Sequence, residues 1–315
     1  MRRLTLPGLK SQRGVVIVVA LFFVALVATM AYLMMARLER DTRRTSLLLR
    51  NAQAELLAQG SIDWAKEQLR DNLVRQKPNK PVDVMPARSP VNQVNGYAIS
   101  SVIYDMQSRF NLNNLASPDA QADFKRLIQI VAPEVTEQQA QAIVLGVVDW
   151  ITPGQQQNEF EKYYLSVSPP YRAAHRAMES ASELQLVKGM SPALYARLKP
   201  FITALPNTTQ INIQTAPPQV MAAMSPKMTL ETGKAVDKIR AETVIPNVQA
   251  FLSLDLVKNH DMPAEKITTL SEYFLVETEV AIEKQHVVLY TLMNRSGNDG
   301  KSPVKIIWQS KSVPG

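Results

Sequence analysis

The hydrophobic pattern is dominated by one unbroken run: from Val15 to Ala36 there are 22 consecutive residues without a charge. At about 1.5 Å per residue, a helix of that length reaches across the roughly 30 Å hydrocarbon core of a bilayer. A secretory signal has an apolar centre of only about 7–15 residues, followed by a small-x-small cleavage site. This run instead leaves through MMARLERDTRR, without such a site, so the apolar helix is expected to be kept as a single span. Helical periodicity continues beyond it. Leu49, Ala52 and Leu56 fall at i, i+3 and i+7, and Ile62, Ala65, Leu69 and Leu73 repeat the pattern after Gly60. The spacing predicts one helix from about Val15 to Val74, with Gly60 as a phase break. KPNKPVDVMPARSP, with prolines at 78, 81, 86 and 90, ends it as a linker.

After the linker the period changes. Tyr97, Ile99, Ser101 and Ile103 alternate with Val102 and Tyr104, which predicts a strand or hairpin. From Ser117 to about Lys199 the pattern is helical, with ADFKRLIQIVA and EQQAQAIVLGVVDWI as amphipathic segments punctuated by Pro133 and Pro153. Ser117-Pro118, and Thr136 with Gln139, read as helix starts. QINIQTA returns to strand character, and the short helical segments PPQVMAAM, LETGKAVDKIRAE and NVQAFLSL follow. YFLVETEVAIEKQHVVLYTLMNR and SPVKIIWQS then alternate as strands, with NRSGNDGKSP as the turn between them. RFNLNNLASPD and QINIQTAPPQV share a short pattern, apolar-Asn-apolar-polar then a small residue and proline, each ahead of helices. Two helical lobes with similar entrances, or chance likeness of short turns, both account for it.

Composition describes a folded chain: 46% hydrophobic and 20% charged over 315 residues. There is no cysteine, which excludes disulfides and thiolate chemistry. The formal charge of +7 includes Arg2, Arg3, Lys10 and Arg13, and without those four it is +3. The remaining basic residues are scattered, which is solvated surface charge rather than a nucleic-acid footprint. Past the apolar run Arg37, Arg40, Arg43, Arg44 and Arg50 outnumber Glu39 and Asp41, so the positive-inside rule leaves orientation open.

A basic leader, then Gly14, then an apolar helix resembles the type IV prepilin signal, which a membrane aspartyl peptidase cuts after the glycine. Such a cut between Gly14 and Val15 would leave the helix on the mature chain. Pilin-like subunits usually carry Glu at the fifth position after the cut, and here that position is Val19. A carboxylate in lipid is costly and is tolerated where it pairs during assembly. A subunit without one suits a filament tip, and the K-type minor pseudopilins of type II secretion lack it. RFNLNNL, Asp149-Trp150, PPYRAAHRAMESASELQLVKGM and INIQTAPPQVMAAM are similar to successive segments of that family, in family order over nearly the whole chain. The resemblance implies an α+β, type IV pilin-like fold: a long N-terminal helix on a small antiparallel sheet, with a large all-α domain inserted between strands. It divides the chain into a leader (1–14), an assembly helix in the membrane (15–36) and its periplasmic continuation (37–76). A linker with the first strands (77–116), the inserted domain (117–206), a second helical lobe (207–270) and the last strands (271–315) complete it.

Two motifs carry further chemistry. SELQLVKGMSPALYARLKPF is a helix, a turn at Gly189 and a helix, as in helix-hairpin-helix proteins that hold phosphate on backbone N–H groups. Ser191 stands where a second glycine is usual and no basic cluster adjoins it, which favours a structural hairpin. The family resemblance also implies calcium in the inserted domain. The region that would hold it is DWITPGQQQNEFEKYY, with carboxylates at Asp149, Glu159 and Glu161, and its alternative is a solvated polar loop. Asp149 beside Trp150 reads either as a helix-end cap or as a carboxyl shifted by burial, and Trp150, Tyr163, Tyr164 and Tyr171 as core aromatics. His175, His260 and His286 lie far apart and in no metal-ligand spacing, and no nucleophile-elbow, Walker or dinucleotide motif occurs.

The reading is therefore a non-enzymatic minor pseudopilin, single-pass in the bacterial inner membrane with its bulk in the periplasm, and with no certain cofactor. The resemblance implies I-, J- and H-type minor pseudopilins and the prepilin peptidase as partners, with secretion substrates or the secretin as further contacts. No nucleic-acid partner is expected. The alternatives are a membrane-anchored helix-hairpin-helix protein of DNA uptake, or a minor pilin of a type IV pilus.

Overall fold

A computed structural model describes residues 13–74, 85–154, 158–282, 285–295 and 303–311. The leader ahead of Arg13, most of the proline linker, Gln155–Gln157 of the polar loop and the 296–302 turn lie outside the described residues. The chain divides into two compact units, Met1–Ala54 and Glu55–Gly315. Helix α1, Arg13–Val74, is a single element of 62 residues that begins in the first unit and ends in the second.

Within the second unit α1 buries Ala58, Ile62, Ala65 and Leu69, spaced by four, three and four residues. That stripe passes Gly60 in phase, so the expected phase break is absent; Gly60 stays helical and a Cβ there would meet nothing within 4 Å. Leu49 and Leu56 are not part of the stripe and are exposed. Leu56 sits two residues from Ala58, about 200° around the helix, which turns it away from the face that packs. Two small alanines on the buried face let the helix approach its neighbours closely.

The antiparallel sheet has the order β1-β3-β8-β9-β10, with β2 also paired to β3. Its strands are β1 (Ala87–Arg88), β2 (Asn92–Val94), β3 (Tyr97–Asp105), β8 (Tyr273–Ile282), β9 (Gln285–Arg295) and β10 (Val304–Ser310). The predicted alternation of β3 is complete: every odd-numbered residue from Tyr97 to Asp105 is buried, and every even one is only partly so. Strand β2 joins it through Asn95-Gly96, both at positive φ, 51° and 83°, which is the two-residue turn that follows the strand twist. Ser101 and Thr278, opposite each other in the β3–β8 register, share a buried hydroxyl hydrogen bond of 2.9 Å. Lys311, just past β10, pairs with Glu55 of α1 at 2.7 Å.

Residues 106–272 are inserted between β3 and β8, and they form two helical lobes that repeat one device. In the first, β4 (Phe110–Asn111) runs parallel to β5 (Ile202–Thr203). In the second, β6 (Ile211–Asn212) runs parallel to β7 (Ile267–Thr268). After each entry strand a buried asparagine turns the chain: Asn111 Oδ1 accepts from the Asn113 N–H at 3.1 Å, and Asn212 Oδ1 from the Gln214 N–H at 2.9 Å. The shared pattern of RFNLNNL and QINIQTA is thus a structural repeat: an Asx turn after a strand that pairs with the lobe's own last strand.

The first lobe holds α2 (Pro118–Val131), α3 (Glu137–Ile151), α4 (Glu159–Ser166) and α5 (Pro192–Leu198). Helix α3 starts with the predicted capping box, in which Thr136 and Gln139 satisfy each other's backbone N–H groups. The second lobe holds α6 (Pro218–Ala223), α7 (Leu230–Glu242) and α8 (Val248–Leu252). One continuous apolar core runs through both lobes, with Phe110 stacked on Phe124 at 5.4 Å. Helices α6 and α7 touch backbone to side: a Cβ on Gly233 would lie 2.6 Å from the Pro218 carbonyl oxygen.

Candidate functional site

In the first unit, Gly14 and Val15 lie in the opening turn of α1, and Val19 follows in the next turn. The described apolar residues from Val15 to Met35 are almost all exposed, Val19 among them at 46%. The helix is long and apolar enough to cross a membrane. Thr29 returns its hydroxyl to the Ala25 carbonyl at 2.7 Å, so this hydroxyl is satisfied within the helix.

In the second unit the predicted acidic region splits. Glu159 is a surface residue, paired with Lys162 at 2.6 Å, and this neighbour holds its carboxyl below the usual range. Asp149 and Glu161 are both buried, at 2% and 6% exposure. Asn158 stands between them: its amide donates to Asp149 Oδ1, and its oxygen accepts the N–H groups of Phe160 and Glu161, each at 2.9 Å, which caps α4. Glu161 is approached by two side chains from the coil that follows α4, Arg172 and His175. Arg172 Nε is 3.6 Å from Glu161 Oε1, and His175 Nε2 is 4.0 Å from Glu161 Oε2. The other ring nitrogen of His175, Nδ1, lies 3.2 Å from the Asp149 carbonyl oxygen. Asp149 Oδ2, Glu161 Oε2 and His175 Nε2 are buried without a hydrogen-bond partner.

Among the described residues, that donor set does not fit calcium. The ion takes about six to eight oxygens, several of them carboxylate. Here one of the two buried carboxylates is engaged by an amide, the other is faced by a guanidinium and an imidazole, and Glu159 points away. Among the described residues, no three or more His, Cys, Asp or Glu side chains are grouped to hold a metal. The resemblance brought Asp149, Glu159 and Glu161 forward together, and the structure leaves Glu159 on the surface. The resemblance did not show His175 or Arg172, which reach Glu161 from the coil of residues 167–180.

Of the four aromatics expected in the core, Trp150 and Tyr164 are buried, Tyr171 is partly buried against the core, and Tyr163 is on the surface. Trp150 and Tyr164 meet edge-on at 5.6 Å, Tyr171 tilts against Tyr164 at 5.3 Å, and Trp150 Nε1 donates to Glu183 at 3.0 Å. Burial pushes the Tyr164 phenol up to about 12, and the nearby Asp149 carboxylate adds to the shift. Tyr163 is half-exposed, with Lys188 over its ring at 5.2 Å. At the hairpin, Gly189 takes φ +91° and packs against Ile143, while Ser191 Oγ accepts from the Leu194 N–H at the start of α5. The α5 entrance is therefore occupied by its own serine cap and packed against the lobe core.

Comparison with known proteins draws these features together. Residues 108–207 and 211–271 match two family models, both described as type II secretion system protein K, and these spans coincide closely with the two lobes. Type II secretion system protein K of Pseudomonas aeruginosa PAO1 is 31% identical over 93% of this chain and 91% of its own length. The protein of the same name from Klebsiella pneumoniae is 28% identical over 91% of this chain and 93% of its own. A chain in the crystal structure of the GspK-GspI-GspJ complex from enterotoxigenic Escherichia coli superposes with a TM-score of 0.72. It covers 85% of this chain and 99% of that one at 22% identity, which shows a shared fold. A long exposed apolar helix, a small antiparallel sheet and a twofold helical insertion are thus carried by a chain that belongs to the type II secretion system protein K family, the minor pseudopilins of type II secretion.

Proposed function

We propose that this minor pseudopilin is cleaved by the prepilin peptidase between Gly14 and Val15 and then caps the tip of the pseudopilus from the periplasmic side of the inner membrane. The observation that carries the proposal is the helix itself: a run without charge from Val15 to Ala36, exposed from Val15 to Met35, with Val19 where an assembly carboxylate is usual. The run can sit in lipid, since beyond its first turn the backbone groups are satisfied within the helix. It can also leave lipid to pack on the apolar helices of other subunits. Without a carboxylate at Val19 the chain has no buried charge that a subunit above would need to neutralise.

Its partners on this reading are the I- and J-type minor pseudopilins, as in the GspK-GspI-GspJ complex with which the fold is shared, with the H-type subunit beneath. The inserted lobes, residues 106–272, supply bulk that blocks addition of a further subunit. The capped complex would prime pseudopilus assembly for the export of folded proteins, with exoprotein or the secretin as contacts above it, and without catalysis by this chain. Two measurements test this. Mass spectrometry after co-expression with a prepilin peptidase should show loss of the leader through Gly14; an unchanged mass contradicts processing. Cells lacking the chain should retain exoproteins in the periplasm and recover export with the wild-type gene, whereas normal export without it contradicts the role.

A further inference from the structure

We propose that Arg172 and His175 serve as built-in partners for the buried Glu161, taking the place of the divalent ion that the family resemblance implies, so that the first lobe is held together without metal. The segment between α4 and the 3₁₀ turn at Ala181–Leu186 has no regular structure over residues 167–180. Coil of that length needs side chains to fix it. Tyr171 is tied by its N–H to the Tyr164 carbonyl at 3.2 Å and by its hydroxyl to the Leu186 carbonyl at 2.7 Å. Met178 N–H is tied to Asn113 at 2.8 Å. Between those two anchors the only ion pairs among the described residues that reach back to α4 are those of Arg172 and His175 with Glu161.

Three observations converge on His175. Its backbone is at φ +47°, a region that a residue with a Cβ occupies only when its surroundings fix it. Its ring lies between the two acidic residues, with Nδ1 3.2 Å from the Asp149 carbonyl oxygen and Nε2 4.0 Å from Glu161 Oε2. Glu161 is buried in turn, and a buried carboxylate needs a cation or a proton. The Arg172 guanidinium provides charge that a metal would, and with the His175 ring it fastens the coil to Glu161. Calcium chelation should then leave the lobe intact, while loss of Glu161 should free the coil.

The test uses the full chain in detergent. Calcium or EGTA should leave the unfolding midpoint unmoved, and terbium should give no emission sensitised by the neighbouring Trp150. A calcium-dependent rise of several degrees, or terbium emission that Glu161→Gln abolishes, would overturn the proposal. Glu161→Gln should speed tryptic cleavage after Arg172 and Arg176 by roughly ten-fold, through local opening of the coil. Unchanged cleavage overturns it. In a cycle with His175→Gln, the histidine substitution should shift the unfolding equilibrium roughly five-fold in the parent and almost none in the Glu161→Gln chain. Additive effects overturn it, and the proteolysis and terbium readings stand even if the double variant does not fold.

Discussion

The guanidinium of Arg295, at the end of β9, donates from Nη1 to the carbonyl of Leu69 in the last turns of α1, at 3.1 Å. Nη2 of the same side chain donates to the Ser271 carbonyl at 2.8 Å, and the group lies over the Phe274 ring at 4.5 Å from its centroid. Arg295 is 3% exposed. One side chain thus joins the helix, the sheet and the chain's exit from the second lobe, and its positive charge sits near the negative end of the helix dipole.

Arg295→Met should therefore destabilise the chain by about 3 kcal/mol, because two buried carbonyls lose a charged donor together. Arg295→Lys should recover little of that, since one ammonium cannot reproduce the planar fork. Denaturant unfolding checks both. A loss below about 1 kcal/mol for the methionine variant would show that the helix is held by packing alone.

The paired Asx turns make a prediction of unequal size. Asn111 donates its amide to the Asn207 carbonyl at 2.8 Å, and Asn212 donates to Asp105 Oδ2 at 3.0 Å and to Ser271 at 2.8 Å. Asn→Asp is isosteric and keeps the oxygen that makes the turn, but it deletes the donors. Asn111→Asp should cost about 2 kcal/mol, and Asn212→Asp more, since it sets two carboxylates against each other in the core. Equal losses would show that the contact of Asn212 with Asp105 adds nothing to the second turn.

Lys266 of the second lobe reaches Asp123 of the first at 2.8 Å, and Arg126 pairs with the same carboxylate. Burial, opposed by the hydrogen bond and charge of Lys266, leaves the Asp123 carboxyl above its ordinary range. A carboxyl raised in the folded state favours folding where it is protonated and loses that contribution as pH climbs through its raised value. Lys266→Met raises it further, so the variant should lose about 1–3 kcal/mol at neutral pH and progressively less in acid. Unfolding measured across pH checks the trend; a loss that grows toward acid would reverse the sign.

Some of this structure is plain in the sequence. The span is set by length without charge, the start of α3 by Thr136 and Gln139, and β3 by strict alternation. RFNLNNL and QINIQTA carry the repeat because an asparagine that turns the chain must occupy the same place in each lobe. Other features are hidden for physical reasons. The packing face of α1 is drawn by Ala58 and Ala65, which a search for large apolar residues passes over in favour of the exposed Leu56. Strand β2 is short and polar, so Asn95-Gly96 is its only signal. The acidic region is legible as Asp149, Glu159 and Glu161, but Arg172 and His175, which approach Glu161, come from coil with no period. A histidine 14 positions from its glutamate gives no spacing to read.

The central claim, that this chain works as a tip subunit, is tested most directly by affinity purification of the full chain from membranes containing the I- and J-type minor pseudopilins. The account predicts a stable complex containing all three and the chain cut after Gly14, with Val19→Glu changing its place in the filament. Recovery of the chain alone, or its presence at many copies along pseudopilus shafts, would contradict it.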